Sequence, residues 1–288
     1  MFRMRLSWAY IWMTIPALGL FMYFHTWPTL HGLMYSFTNW NGFGPFQWIG
    51  FSNYAALFKD PQVIHSYLFT FQFAVVTVIL VNVLSLIIAL ALNSKIVLPK
   101  TFKALYFMPY VLSTLVVSYI FNYLFSNVEP SVASALHLTN LAQNILGTNW
   151  AWVGIVIVAC WQGVAFNTIL YLAGLQTIPE EVYEASMIDG ASPWTNFWKV
   201  TFPLIAPFFT INMVLAAKNY LQVFDQIVAL TNGGPGTATQ SVAFVIYTNG
   251  FGGGELAYQS ANAAVFLIIL ILIALLQVRV LQGREVQL

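Results

Sequence analysis

The residues in this chain that could do chemistry are few, and most of them stand apart. His25, His31, His65 and His137 have no partner at metal-ligand spacing, and neither HExxH nor CxxC occurs. Cys160 is the lone cysteine and cannot form an internal disulfide. TNGGPG lacks the Lys-Ser/Thr that follows a phosphate-binding loop, so it reads as a chain reversal, and FGGGE reads the same way. No nucleotide motif is present, and no nucleophile and base stand at a common depth in the apolar runs. Two groups remain. One is the acidic stretch EEVYEASMIDG, which carries Glu180, Glu181, Glu184 and Asp189 and is followed by Lys199 alone among the cations. The other is a scatter of amides, hydroxyls and Lys218 inside otherwise apolar runs. The first offers a charged surface and the second a polar path; neither makes or breaks bonds.

The elements that must position them follow from the solvent. Of the 288 residues, 59% are hydrophobic and 7% charged. A soluble domain carries roughly a quarter charged residues and has no core large enough to hide so much apolar surface. Lipid must cover it. A hydrocarbon layer ~30 Å thick needs ~20 residues of helix, and runs such as VFLIILILIALL do not alternate as barrel strands do. The expected fold is an all-α polytopic membrane protein with six transmembrane helices, at about 8–30, 67–92, 104–125, 150–172, 203–223 and 262–277. Residues 1–288 form one transmembrane domain, and the first run, with no small-residue cleavage pattern, reads as a retained span. Arg3, Arg5, Lys95, Lys100, Lys103, Lys199, Arg279 and Arg284 then all fall on one side, with Lys59 alone on the other. This asymmetry puts both termini and the acidic stretch in the cytoplasm.

Local signals shape that stretch into an elbow. Pro179 suits a first helical position, and Glu180 and Glu181 sit at the positive end of the helix dipole. Gly190 stops the run by taking a left-handed conformation, and Ser192 with Pro193 starts a second short helix. Pro203 and Pro207 mark the start of the fifth span. A connector resting on anionic lipid would carry cations on its polar face. An acidic one suits a basic protein partner better.

Glu184-Ala185-Ser186, Asp189-Gly190-Ala191, Phe197, Val200, Pro203 and Pro207 resemble the EAA loop of ABC importer permeases. The wider run GLQTIPEEVYEASMIDGASPWTNFWKVTFPLIAP resembles the carbohydrate-uptake branch, which contains the maltose and glycerol-phosphate permeases. FMPYVLS, VFDQIVALTNGGPG and the start of the last span look similar to that branch, so the resemblance covers nearly the whole chain. Ser186 replaces the usual second alanine and Val200 stands where isoleucine is common; both keep size and helix compatibility. The resemblance implies that 176–203 is a cytoplasmic coupling loop seated in a nucleotide-binding subunit. Glu184, Ala185, Ser186, Asp189, Gly190 and Ala191 would make the contact, Glu184 pairing with a basic residue and Gly190 supplying the bend. It further implies a second homologous permease, two ATP-binding subunits, an extracytoplasmic solute-binding protein and a carbohydrate substrate. MgATP would be held by the ATP-binding subunits, with no cofactor in this chain and no nucleic-acid partner. The location implied is a prokaryotic cytoplasmic (inner) membrane.

Polar residues at membrane depth mark either a path or helix–helix bonds. They are Asn82, Ser85, Ser113, Ser118, Asn122, Gln162, Asn167, Asn212, Lys218, Asn219, Gln222, Gln259 and Asn262. With Tyr119, Tyr123 and Trp161 they would suit a sugar, amides bonding its hydroxyls and rings stacking on its apolar faces. Lys218 lies ~15 residues into its span, ~22 Å from the cytoplasmic end, where its stem can reach outer headgroups or its charge can face a cavity. Asp225, two turns on, is placed on the same face but ~10 Å along the axis; Gln222 is closer. The alternative is a stand-alone, gradient-driven transporter, which would more often hold a carboxylate inside a span.

Overall fold

A backbone inside hydrocarbon has no water to bond, so each buried segment must satisfy its own N–H and C=O groups, and helices do this. The computed structural model describes residues 8–94, 106–137 and 143–282. Among the described residues there is no strand, only an isolated bridge between Thr38 and Trp48. Helix α1 (Trp8–Phe21) passes through a π-helical turn, Met22–Thr26, into α2 (Trp27–Tyr35). Short α3 (Ser52–Leu57) precedes α4 (Pro61–Asn93). Then come α5 (106–111), α6 (Thr114–Tyr123), a π-helical turn at Leu124–Val128 and α7 (Glu129–Ala135). The rest comprises α8 (Ala151–Leu175), α9 (Glu180–Ile188), α10 (Pro193–Asn196), α11 (Phe202–Leu204), α12 (Ala206–Leu221), α13 (Asp225–Leu230), α14 (Val242–Tyr247) and α15 (Leu256–Gln282).

The expected spans meet this structure unevenly. Helices α4, α8 and α15 contain the second, fourth and sixth, and each is long and apolar enough to cross a bilayer. The fifth begins at a corner, where Pro193–Leu204 meets Ala206–Leu221 at 70°; taken as one span the pair makes a fourth crossing. The first contains the π-helical turn, and the third is broken at Leu112 and Ser113, so neither is a single regular helix. Arg3, Arg5, Lys95, Lys100, Lys103 and Arg284, which carry the expected charge asymmetry, lie outside the described residues, as does residue 104.

The chain divides into two compact units. One takes in α1 to α3 and returns for Val245–Leu267. In it Asn53 Nδ2 donates to the carbonyls of Ser36 and Thr38 at 2.9 and 2.8 Å, and the Ala257 amide donates to Trp40 at 3.0 Å. The other unit runs from α4 to Phe244 and resumes at Ile268. Its axis is α4, whose buried residues Val63, Ser66, Thr70, Phe73, Thr77, Val81, Ser85 and Ala89 recur every three or four positions on one face. The opposite face shows Leu68, Val75, Ile79, Val83 and Ile87, all exposed. With lipid as solvent the pattern inverts: small and polar groups turn inward and large apolar ones outward.

Polar bonds and glycine notches fix α8 to its neighbours. Tyr171 Oη donates to Asn82 Oδ1 at 2.7 Å, and Ser85 Oγ donates to the Val164 carbonyl at 3.2 Å. Asn82 and Ser85 therefore join α4 to α8 rather than lining a path. Along α8, Gly163 makes room for the ring of Tyr220 and Gly174 for the ring of Phe208. A Cβ added at Gly174 would meet Phe208 at 2.6 Å. Overpacking of this kind costs roughly 1–3 kcal/mol. Gly174→Leu is expected to lower the thermal midpoint of the purified chain in detergent, and Phe208→Ala in the same molecule to restore part of the loss. An unchanged midpoint would show that the two helices do not depend on this notch.

Candidate functional site

Two features of the second unit bring the chemistry-bearing residues together, the acidic elbow and a polar cavity. The elbow begins where α8 ends at Leu175. Pro179 stands just before α9 rather than inside it, in an extended conformation at φ −62°, ψ 143°. Glu180 and Glu181 occupy the first turn, where the unpaired N–H groups favour negative charge. At the other end the Ala191 amide donates to Ser186 O at 3.1 Å and the Gly190 amide to Met187 O at 3.0 Å. This paired bonding is a Schellman close, and it needs the left-handed residue that Gly190 supplies at φ +75°. Ser192 Oγ then accepts from the Thr195 amide at 3.2 Å, with Pro193 opening α10.

One side of the elbow is bolted to the unit. Ile178 and Ile205 are buried with Ala89, Tyr171, Leu172 and Leu175, and Val182 and Tyr183 pack against that cluster. Thr201 Oγ1 donates to Tyr183 Oη at 3.4 Å, tying α9 to the stretch that leads into α12. The other side is free. Glu184, Ala185, Asp189 and Gly190 are exposed beside Met187 and Ile188, the latter 86% exposed. Ala191 is half-buried and Ser186 is buried, so Ser186 serves the fold from within while its expected neighbours face outward.

The cavity lies where α12 gives way to α13. It holds about 410 Å³ and is lined by Tyr110, Thr114, Ala159, Gln162, Gly163, Lys218, Asn219, Tyr220, Gln222, Val223, Phe224, Asp225 and Gln226. Between the two helices the backbone unwinds over Gln222–Phe224, and Phe224 adopts φ −139°, ψ −59°. Lys218 is in the last turn of α12 and Asp225 in the first turn of α13. Each charge thus meets the helix end of opposite sign. The break also corrects the expectation of Lys218 and Asp225 on one continuous helical face: they stand on different helices around one cavity. Ser241 Oγ donates to the Val223 carbonyl at 2.7 Å, and Gln162 Nε2 donates to the carbonyl of Leu112, at the break between α5 and α6, at 2.9 Å.

Of the expected path residues, Gln162, Lys218, Asn219 and Gln222 line this cavity. The others do not. Tyr119 and Tyr123 are exposed on α6, while Asn122 Nδ2 donates to the Leu230 carbonyl at 2.7 Å. Trp161 lines a separate apolar cavity of about 630 Å³, its ring 5.3 Å from that of Phe121. Asn167 is buried, and its carbonyl accepts from Asn212 Nδ2 at 3.4 Å. Asn262 belongs to the other unit and donates to Gln259 Oε1 at 3.1 Å. Tyr110, Thr114 and Gln226 were missed. The helix start at Asp225-Gln226 was the available signal, since an acid opening a new helix implies a break just before it.

Comparison with known proteins agrees with this architecture. The description Binding-protein-dependent transport system inner membrane component matches residues 82–285. The multiple sugar-binding transport system permease protein MsmF of Streptococcus mutans is 38% identical over 97% of each chain. The probable starch degradation products transport system permease protein AmyD of Thermoanaerobacterium thermosulfurigenes is 35% identical, over 90% of this chain and 89% of that one. Among solved structures, a bacterial ABC transporter involved in the import of the acidic polysaccharide alginate matches with TM-score 0.84 and 22% identity, over 96% of each chain. That last likeness speaks for the fold. The chain belongs to the family of binding-protein-dependent transport system inner membrane components.

Proposed function

We propose that this chain is the permease subunit of an ATP-driven ABC importer for a sugar, oligosaccharide or related polyol derivative. The observation that carries the reading is a mechanical one: the exposed acidic arm α9 is packed through Tyr183, Ile178 and Ile205 onto the ends of α4, α8 and α12, and α12 lines the polar cavity. A push on the elbow therefore reaches the cavity through packed side chains. Two ATP-binding subunits, holding MgATP, would supply the push at Glu184, Ala185 and Asp189. A second, homologous permease would close the open side of the cavity, and an extracytoplasmic solute-binding protein would deliver substrate. The chain would cross the inner membrane six times with both termini cytoplasmic, alternating between inward- and outward-open states.

The relatives named for sugar and starch products support the substrate class. So does the lining: amides, hydroxyls and a Lys and Asp together can donate to and accept from hydroxyl groups, and Tyr110, stacked on Phe166 at 4.7 Å, offers a ring. The unaided gradient-driven alternative is the weaker one, because systems of this family depend on a binding protein.

Reversing the charge at the elbow tests the docking. Glu184→Lys is expected to weaken binding of the ATP-binding subunits about tenfold while membrane insertion is unchanged. Co-purification at wild-type yield would count against it. In the cavity, Lys218→Ala is expected to raise the half-saturating substrate concentration about tenfold, the worth of one charged hydrogen bond, at unchanged assembly. Uptake at the wild-type level would return Lys218 to a role at the helix end alone.

A further inference from the structure

The second arm of the elbow carries a surface that docking of α9 does not explain. Trp194, Trp198 and Phe202 recur every four residues along one face, with ring centroids 5.7 and 5.3 Å apart. Phe209, beyond the corner, continues the series at 5.4 Å from Phe202. Exposure grades along it, from 72% at Trp194 to 47% at Trp198 and partial burial at Phe202. Lys199, beside Trp198, is exposed, whereas Thr201 is buried and bonded to Tyr183. The arm leaves α12 at 70°. Spans tilt about 20° from the bilayer normal, so an arm turned this far from one runs close to the membrane plane.

We propose that the arm Pro193–Leu204 is a bilayer-interface anchor, with Trp194 and Trp198 seated between headgroups and acyl chains of the nearer leaflet and Lys199 beside the lipid phosphates. Indoles favour that depth because the ring is apolar and its N–H polar. Charge separates the two arms. The acids Glu180, Glu181, Glu184 and Asp189 lie on α9 and its close, and the lysine lies on the tryptophan arm. A basic partner that complements the first arm is repelled by Lys199, while anionic lipid attracts it. The elbow is thereby divided, one arm for protein and one for lipid. This rests on the chain being a membrane permease and not on docking of ATP-binding subunits, which co-purification scores separately.

Indole depth tests it directly. The full-length permease is reconstituted in nanodiscs of phosphatidylcholine and phosphatidylglycerol brominated either near the ester carbonyls or near the methyl ends. Fluorescence of wild type minus that of Trp194→Phe/Trp198→Phe isolates the two indoles from the rest of the 10 tryptophans. The expected result is quenching about twofold stronger with shallow than with deep bromine, and little by aqueous iodide, with or without ATP-binding subunits. Should the double variant not fold, Trp194→Phe alone reads the more exposed ring in the same way. Quenching by iodide and by neither lipid overturns the proposal. So does lipid quenching that vanishes when ATP-binding subunits are added, which would assign the surface to them.

Discussion

Inside hydrocarbon, a backbone carbonyl that leaves a helix must find its donor within the protein, and the second unit is organised around that demand. Its backbone unwinds at Leu112 and Ser113 and again over Gln222–Phe224. Each opening is closed by a side chain from elsewhere: Gln162 bonds the Leu112 carbonyl and Ser241 the Val223 carbonyl. Tyr110 and Thr114 beside the first break and Gln222 to Gln226 at the second line one cavity. Irregular backbone occurs where it borders a polar space, and the amides that repair it are part of the same wall.

This explains what could and could not be read from residues in order. The elbow was legible because its shape is set locally: Gly190 and the Ser192-Pro193 pair act on neighbours within a few positions, and their bonds are the ones observed. The long spans at α4, α8 and α15 were legible because each is a long apolar run with no proline in its interior. The breaks were not. Neither Leu112-Ser113 nor Gln222-Val223 is a strong helix breaker, and the donors that make opening tolerable are dozens of residues away for the first and 18 positions away for the second. Residue order alone puts Lys218 and Asp225 on one face; the break sets them on two helices.

The polar residues inside the spans divide by the same logic. Asn82, Ser85, Asn122, Asn167 and Asn212 hold segments to one another and never reach the cavity. Lys218, Asn219 and Gln222 line it because they fall in the last turn of α12 and its cap, where the chain runs out of helix, and Gln162 on α8 does both, bonding the Leu112 carbonyl from the cavity wall. A single asparagine in an apolar run gives no clue to which of these it will be. Its neighbours on the facing helix decide.

Gly163 and Gly174 on α8, which receive the rings of Tyr220 and Phe208, lie three turns apart on one helix, as do the two rings on the other. Two pegs in two sockets forbid sliding: α12 cannot translate along α8 without lifting both rings at once. The two helices are keyed together as a single bar, and that bar ends at the corner at Ile205, which is buried against α4 and α8 and takes φ −92°, ψ 3° before α12 begins.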